Sequence, residues 1–494
     1  MTRTFLAFFS FLLLSSHGTA ADQAKPNVLL IILEDWGPYL GCYGEKAVST
    51  PILDQLAQEG RLFTNCYSSA PVCSVGRSTL MVGLSQYTTH TEQHRTANAD
   101  KPSLPAGVES LPDIFRKAGY YTALGCRYSA KTDLNFQFDE KTAYQGNDWN
   151  DRKPGQPFYA HLTLMQTHRK WKGDSQHPID PASVTLPAWY PDTPMTRKDW
   201  ALGLESVQTS DRDIGDIIAR LKKQGVYDNT IIVITADHGV ALPRSKQFVY
   251  DEGLHIPLLI RFPSRIAAGK VTKELVVNID IVPTLLDLAG LPKRDYLQGR
   301  SLADASQKEP RFIFGGRDKM DDTHDACRTV RSQDFRYILN LMPERPYCQF
   351  NRYKETSYPG LALLNVLHLE GKLPAEQDAF MQDKKPTEEL FDIRKDPSEV
   401  HNLANDPGYA DILKEMRTEL AQWRTKVGDT DVTPEFRKGG WQATYPTRPL
   451  TEWKTILSQW EEHILQNGPA PEIVQPPQYG PESGRAGKEK KLKK

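Results

Sequence analysis

The sequence predicts an α/β fold, a mostly parallel sheet sandwiched by helices, followed by a smaller C-terminal α+β domain. Three observations predict it. The run Asn27 to Leu33 (NVLLIIL) is continuously apolar, as a strand buried on both faces of a parallel sheet must be. Stretches with helical spacing that stop at glycine alternate with further short apolar runs. Beyond about residue 305 this alternation gives way to separated strands joined by long polar connections.

In chain order, Thr50 to Gly60 carries Ile52, Leu53, Leu56 and Ala57 on one helical face and ends at a glycine. Ser74 to Val82 is a second helix. Leu111 to Ala118 is a third, stopped by Gly119, with Tyr120 to Leu124 a strand and Phe158 to Leu164 another. Ala201 to Gln224 places Ile214, Ile217, Ile218 and Leu221 on one face and feeds the run Ile231 to Ile234. Leu258 to Phe262 is one more strand, and Asp280 to Ala289, with Pro283 in its first turn, one more helix. Arg311 to Phe314, Val330 to Asn340 and Glu389 to Ile393 are the strands of the second domain. The helix Ala410 to Val427 (Leu413, Met416, Leu420, Trp423) is expected to pack on them.

The 494 residues are 39% hydrophobic and 25% charged, which excludes a disordered, collagen-like or multi-span membrane chain. Sixty-one basic against 62 acidic residues leave no global positive field, so nucleic acid is not expected as a partner. Residues 1–20 combine Arg3, an apolar run from Phe5 to Leu14, and small residues at Gly18 and Ala20. That is the pattern of an export signal peptide, too short for a membrane span, and implies a secreted or periplasmic protein. Residues 21–305 are expected to form the catalytic domain and 306–468 the α+β subdomain. Residues 469–494 read as a disordered Pro-rich and basic tail, with five prolines between Pro469 and Pro481. Six cysteines are too few for a disulfide framework in a chain of this length.

In an open parallel sheet, ligands bind beyond the carboxyl ends of the strands. Glu34 and Asp35 directly follow the first strand, and Asp237 and His238 follow Ile231 to Ile234 in the same way. Three carboxylates and an imidazole suit a hard divalent cation, Ca²⁺ by preference and Mg²⁺ or Mn²⁺ as alternatives. Cys73 stands before the helix Ser74 to Val82, whose free N–H groups favour an anion, and Arg77 lies four residues on along the same face.

The segment Cys73-Ser-Val-Gly-Arg77 with Leu80 and Gly83 resembles the signature of the formylglycine-dependent sulfatases. Six further stretches agree in order: Glu34-Asp35, Leu40 to Gly44, Thr50 to Gly60, Thr235-Ala-Asp-His-Gly239, Lys246 to Gly253, and Glu389 to Ile393 with Lys395 to Leu403. The resemblance implies an alkaline-phosphatase-like fold and hydrolysis of sulfate esters or sulfamates. It further implies oxidation of Cys73 to formylglycine by a formylglycine-generating enzyme, its hydrate then attacking sulfur. By the same resemblance Glu34, Asp35, Asp237, His238 and modified Cys73 would hold the metal. Arg77 would orient the nucleophile, Lys246 contact a sulfate oxygen, and His168 serve the leaving group, with His94 a weaker candidate for such a role.

The pattern departs in places. Val75 stands where the family has proline and Gly76 where it has a small polar residue. Glu34 replaces an aspartate and His238 an asparagine. Gly125-Cys-Arg-Tyr128 lacks the lysine and histidine of the family's Gly-Lys-x-His, a cation that Lys131 could supply. Gly316 to Asp322 and Arg328 to Tyr337 look most like the heparan N-sulfatase-like bacterial polysaccharide sulfatases, which makes Arg317, Asp318 and Arg328 candidates to read the sugar. The implied substrate is a sulfated carbohydrate. Two other readings compete: a phosphodiesterase or phosphonate hydrolase on the same scaffold, where His238 is also found, and a sulfated-glycan-binding protein without turnover.

Overall fold

The computed structural model describes residues 25–440, 445, 446 and 448–472. The leader 1–20 and all but the first residues of the tail 469–494 lie outside the described residues.

A seven-stranded sheet forms the centre. Its strands are β1 (Asn27–Leu33), β2 (Arg61–Tyr67), β3 (Tyr121–Leu124), β4 (Phe158–Leu164), β5 (Thr230–Ala236), β6 (His255–Arg261) and β7 (Lys270–Val277), in the order β3-β4-β1-β5-β6-β2-β7. Neighbours are parallel except β6, which runs antiparallel to both β5 and β2. All seven residues of β1, β4 and β5 are buried, because helices cover both faces and leave no room for alternation. In register, Leu33 lies between Leu164 and Ala236, so the three central strands end together. Whatever follows each of them in sequence is therefore delivered to one spot.

The flanking helices are α1 (Pro51–Glu59), α2 (Cys73–Val82), α3 (Leu111–Lys117), α4 (Pro194–Lys223) and α5 (Ile281–Leu288). Helix α4 begins seven residues earlier than its apolar spacing predicts, since Thr193 caps it by accepting from the Thr196 N–H and Pro194 sets its first turn. Strands β2 and β7 were not foreseen.

A second, antiparallel sheet has the order β11-β10-β9-β8, from β8 (Ile313–Arg317), β9 (Cys327–Arg331), β10 (Phe335–Asn340) and β11 (Glu388–Asp392). The single strand predicted over Val330 to Asn340 is instead a hairpin with the downstream end of β9. Ser332 reverses the chain, its hydroxyl accepting from the N–H groups of Asp334 and Phe335. Helices α6 (Pro359–Leu369), α7 (Ala410–Val427) and α8 (Leu450–Gln466) complete the chain. Leu413, Met416 and Leu420 of α7 pack on Val330, Tyr337 and Leu390 of this sheet, as the spacing predicted. All six cysteines are unbridged, and among the described residues no helix is long and apolar enough to cross a membrane.

Candidate active site

The site is built where β1, β4 and β5 end. Asp35 adopts φ 53°, a left-handed turn that swings its carboxylate back under β5, and its N–H donates to Asp237 Oδ1 at 2.9 Å. Helix α2 enters from the opposite side. Gly76 lets it close down on this floor: a Cβ there would lie 2.4 Å from the Asp237 carbonyl oxygen and 3.0 Å from Ser68 Oγ. Cys73, in the first turn of α2, is thereby held over the carboxylates.

Cys73 Sγ lies 3.5 Å from Asp35 Oδ1, 3.4 Å from His238 Nε2 and 3.5 Å from Lys246 Nζ. Donor atoms of Asp35, Cys73, Asp237 and His238 all fall within 4.8 Å of one another, and all four residues are buried. His238 Nδ1–H donates to the Gly239 carbonyl at 2.9 Å, which leaves Nε2 as the ring nitrogen facing the cluster, 3.0 Å from Asp35 Oδ1. That orientation offers Nε2 to a metal, so these residues fit a divalent cation held by carboxylate, imidazole and the residue-73 side chain.

Glu34 stands apart from that set. Its two oxygens are taken by Arg77 Nη2 and Lys131 Nζ, and its carboxylate groups instead with Asp35 and His168. Glu34, expected to hold the metal with Asp35, Asp237, His238 and Cys73, therefore lies in a second group of possible metal donors that shares Asp35, with both of its oxygens also meeting cations. Arg77, fully buried, also donates from Nε to Asp237 Oδ2 at 3.2 Å and from Nη1 to Thr163 Oγ1 at 3.1 Å. Lys131 thus does place a cation in the site, and Lys246 Nζ donates to Asp35 Oδ2 at 2.6 Å.

Burial alone would raise the Asp35 and Asp237 carboxyls. Lys246, His168 and His238 hold Asp35 well below the usual carboxylate range, and His238 and Arg77 lower Asp237. Burial pushes the Cys73 thiol well up despite Lys246 and Lys131, so an unmodified thiol is neutral and a poor nucleophile. Burial disfavours a charged Lys246, but the Asp35 carboxylate keeps it protonated.

His168 closes one side. Its Nδ1–H donates to the Arg169 carbonyl, leaving Nε2 facing the site 3.7 Å from Asp35 Oδ2. His94 lies on another side, Nδ1 2.8 Å from Ser74 Oγ and Nε2 3.5 Å from Asp321 Oδ1; burial pushes it down to about 4, with Asp321 opposing. Several neighbours were not foreseen. Tyr353 lies against both Lys246 (4.9 Å to the ring centroid) and His168 (6.0 Å between rings). Arg95, Asp133 and Asp321 edge the opening. Each stands beside a residue the sequence had singled out, but nothing in the sequence points to Tyr353.

Arg317, Asp318 and Arg328 are only 2%, 6% and 2% exposed, and their charges turn inward, which corrects their assignment as sugar readers. Arg328 donates to Asp318 Oδ1 (3.0 Å) and Asp429 Oδ2 (2.8 Å) and covers the Tyr87 ring. Arg317 lies over the Phe248 ring, 3.8 Å from Asp325 Oδ2. They tie the small sheet to the main unit.

A sulfatase family model matches residues 26–291. An ulvan-active sulfatase of Formosa agariphila is 33% identical, over 83% of this chain and 76% of its own length. N-sulphoglucosamine sulphohydrolase of Homo sapiens is 27% identical, over 82% of this chain and 91% of its own. A protein solved in complex with its substrate, D-glucosamine-2-N,6-O-disulfate, superposes with a TM-score of 0.60 at 19% identity, over 82% of this chain and 99% of its own. The overall fold is thus shared with these proteins, and the chain belongs to the sulfatase family of sulfuric ester hydrolases, on an alkaline-phosphatase-like fold.

Proposed function

We propose that this chain is an exported sulfatase that removes sulfate from a sulfated carbohydrate, using residue 73 as formylglycine and a divalent cation, Ca²⁺ by preference. One observation carries the reading. The side chain of residue 73 is held, fully buried, within 4.8 Å of the donor atoms of Asp35, Asp237 and His238, with Lys246 against it. The names of the two relatives, one active on ulvan and one on N-sulphoglucosamine, support a glycan substrate.

The charges agree with this chemistry. Glu34, Asp35 and Asp237 supply three negative charges, and Arg77, Lys131 and Lys246 three positive ones. A divalent ion held by Asp35, Asp237, His238 and residue 73 would supply the two charges needed to neutralise a sulfate monoanion and a developing oxyanion. Lys246 then donates to a sulfate oxygen from the position it already holds beside residue 73. Arg77 fixes Glu34 and Asp237 and keeps the floor rigid. His168, with Nδ1 committed to Arg169, carries a proton on Nε2 to the leaving oxygen or nitrogen. His94 orients Ser74 and the start of α2.

The test joins two measurements on protein exported by a host with the cysteine-oxidising machinery. Mass spectrometry of the Cys73 peptide is expected to show an aldehyde. The same protein should release sulfate from 4-nitrophenyl sulfate, glucosamine N-sulfate or monosulfated ulvan disaccharides faster than it hydrolyses phosphonate or phosphate diesters. An aldehyde without sulfate release, or a preference for phosphorus esters, refutes the reading.

A further inference from the structure

The floor of the site is closed: Cys73, Arg77, Asp237 and His238 have no exposed surface and Lys246 is 3% exposed. The partly exposed side chains around it are Lys131, Asp133, His168, Arg95 and Asp321, at 20%, 24%, 21%, 39% and 16%. Three of these five are held in a left-handed backbone conformation that non-glycine residues adopt at a cost: Arg95 at φ 54°, Asp133 at 48° and Asp321 at 53°. The contacts that hold them are local to the site. The Arg95 N–H donates to Ser74 Oγ at 3.2 Å, next to the nucleophile position. Gln247, beside Lys246 and itself at φ 74°, donates from Nε2 to Asp321 Oδ2 at 3.0 Å.

The charges of this edge differ from those of the floor. Arg95 Nη1 sits 3.6 Å from Asp321 Oδ1, longer than a hydrogen bond, with 39% of its side chain in solvent. Asp133 is 24% exposed, but its Oδ2 is buried with no hydrogen-bond donor, 3.6 Å from Lys131 Nζ. With Lys131 committed to Glu34, the other charged side chains of the edge are one guanidinium and two carboxylates, beside the His168 imidazole, so two acids and one fixed cation meet the substrate there. A second sulfate or a carboxylate on the sugar offers only acceptors and would face Asp133 and Asp321 unpaired. A pair of hydroxyl groups both accepts and donates, and so satisfies a guanidinium and a carboxylate together.

We propose that Arg95, Asp321 and Asp133 bind free hydroxyl groups of the sugar that bears the scissile sulfate, and that they select a singly sulfated unit over one with a second anionic group beside it. This rests on the sulfated-carbohydrate reading above. Arg95 donates to one hydroxyl oxygen, and Asp321 or Asp133 accepts the proton of its neighbour.

The test compares glucosamine N-sulfate or a monosulfated ulvan disaccharide, whichever the wild-type enzyme turns over faster, with 4-nitrophenyl sulfate, which has no hydroxyl pair. Arg95→Ala and Asp321→Asn are each expected to raise KM for the sugar by about 10- to 100-fold, the loss of one or two charge-assisted hydrogen bonds. The fall in kcat/KM for the aryl sulfate should stay at least about tenfold smaller, and Arg95→Lys should lie between Arg95→Ala and wild type. A matched sugar carrying a second, adjacent sulfate should be cleaved at least about tenfold less efficiently by wild type. Equal losses on sugar and aryl sulfate in both variants, or equal turnover of the mono- and disulfated sugars, overturn the proposal while the carbohydrate reading stands. Cleavage of the aryl sulfate with no cleavage of any sugar overturns both.

Discussion

The junction around Arg328 makes a pH-dependent prediction whose size follows from the structure. Arg328 is shared by two buried carboxylates, donating to Asp318 at 3.0 Å and to Asp429 at 2.8 and 2.9 Å, and Arg424 reinforces Asp429 at 2.7 Å. Asp429, with two guanidinium partners, is held low against its burial. For Asp318 burial wins: Arg328 opposes it, but nearby Glu92 adds to it, and the carboxyl is pushed up to about 7. A folded-state value above the unfolded one, about 3.9, means the stabilisation is complete below about pH 4 and is lost as pH rises through about 7. Between pH 5 and pH 8 the integrated loss is about 2–3 kcal/mol. With an unfolding entropy near 0.9 kcal/mol/K for about 440 ordered residues, this corresponds to about 3 °C in Tm. Asp318→Asn presents one acceptor and one donor, as the protonated acid does, and cannot ionise. Scanning calorimetry of both proteins at pH 5 and pH 8 should therefore show wild type losing about 3 °C relative to the variant. The other titrating groups are common to both proteins and cancel. Parallel behaviour of the two, within about 0.5 °C, would mean that Arg328 keeps Asp318 charged throughout and would refute the sharing argument.

Three other outcomes bear on the site. Cys73→Ala should abolish sulfate release while costing about 1 kcal/mol or less of stability, because only a sulfur is removed from a buried spot; residual turnover above about 1% of wild type removes residue 73 as nucleophile. Asp237→Ala should lower the bound divalent metal in elemental analysis, and an unchanged stoichiometry takes Asp237 off the ligand set. Gly76→Ala should destabilise by about 1–3 kcal/mol and reduce metal retention, since its methyl would press on the Asp237 carbonyl from 2.4 Å; a variant with wild-type Tm and metal content shows that α2 does not need that close approach.

What the sequence makes legible follows from burial. Strands β1, β4 and β5 are covered on both faces, so their continuous apolar runs identify them, and their common end makes Glu34-Asp35 and Asp237-His238 a site before any coordinates exist. Strand β7 is the opposite case. It is the edge of the sheet, its first half is largely exposed with Val271 at 63%, and Lys270, Lys273 and Glu274 give it the composition of a loop. Strand β2 (RLFTNCY) interleaves polar with apolar residues and is identified only by the neighbours it finds, β6 and β7.

The same division runs through the site. The chemical floor comes from strand ends and one helix start, where spacing along the chain fixes position in space. The edge comes from turns, Gln93 to Thr96, Lys131 to Asp133 and Lys319 to Asp322, whose residues are brought together by long-range contacts such as the His94 N–H to the Lys319 carbonyl and Asn135 to the carbonyls of Thr91 and Gln93. Spacing carries no record of such contacts. That is why Arg328, a charged residue in a stretch resembling a sugar-binding branch, was read as a substrate contact when it is a buried tie. It is also why Arg95, one residue from a histidine singled out for catalysis, went unread. A charge acquires a role from what surrounds it: Asp318 and Asp429 enclose Arg328, whereas Arg95 has one loosely held carboxylate and open solvent. On the roles proposed above, reaction chemistry lies at the strand ends and substrate choice in the turns, so a relative that keeps Asp35, Cys73, Asp237 and His238 but changes Arg95 or Asp321 is expected to keep the reaction and change the sugar.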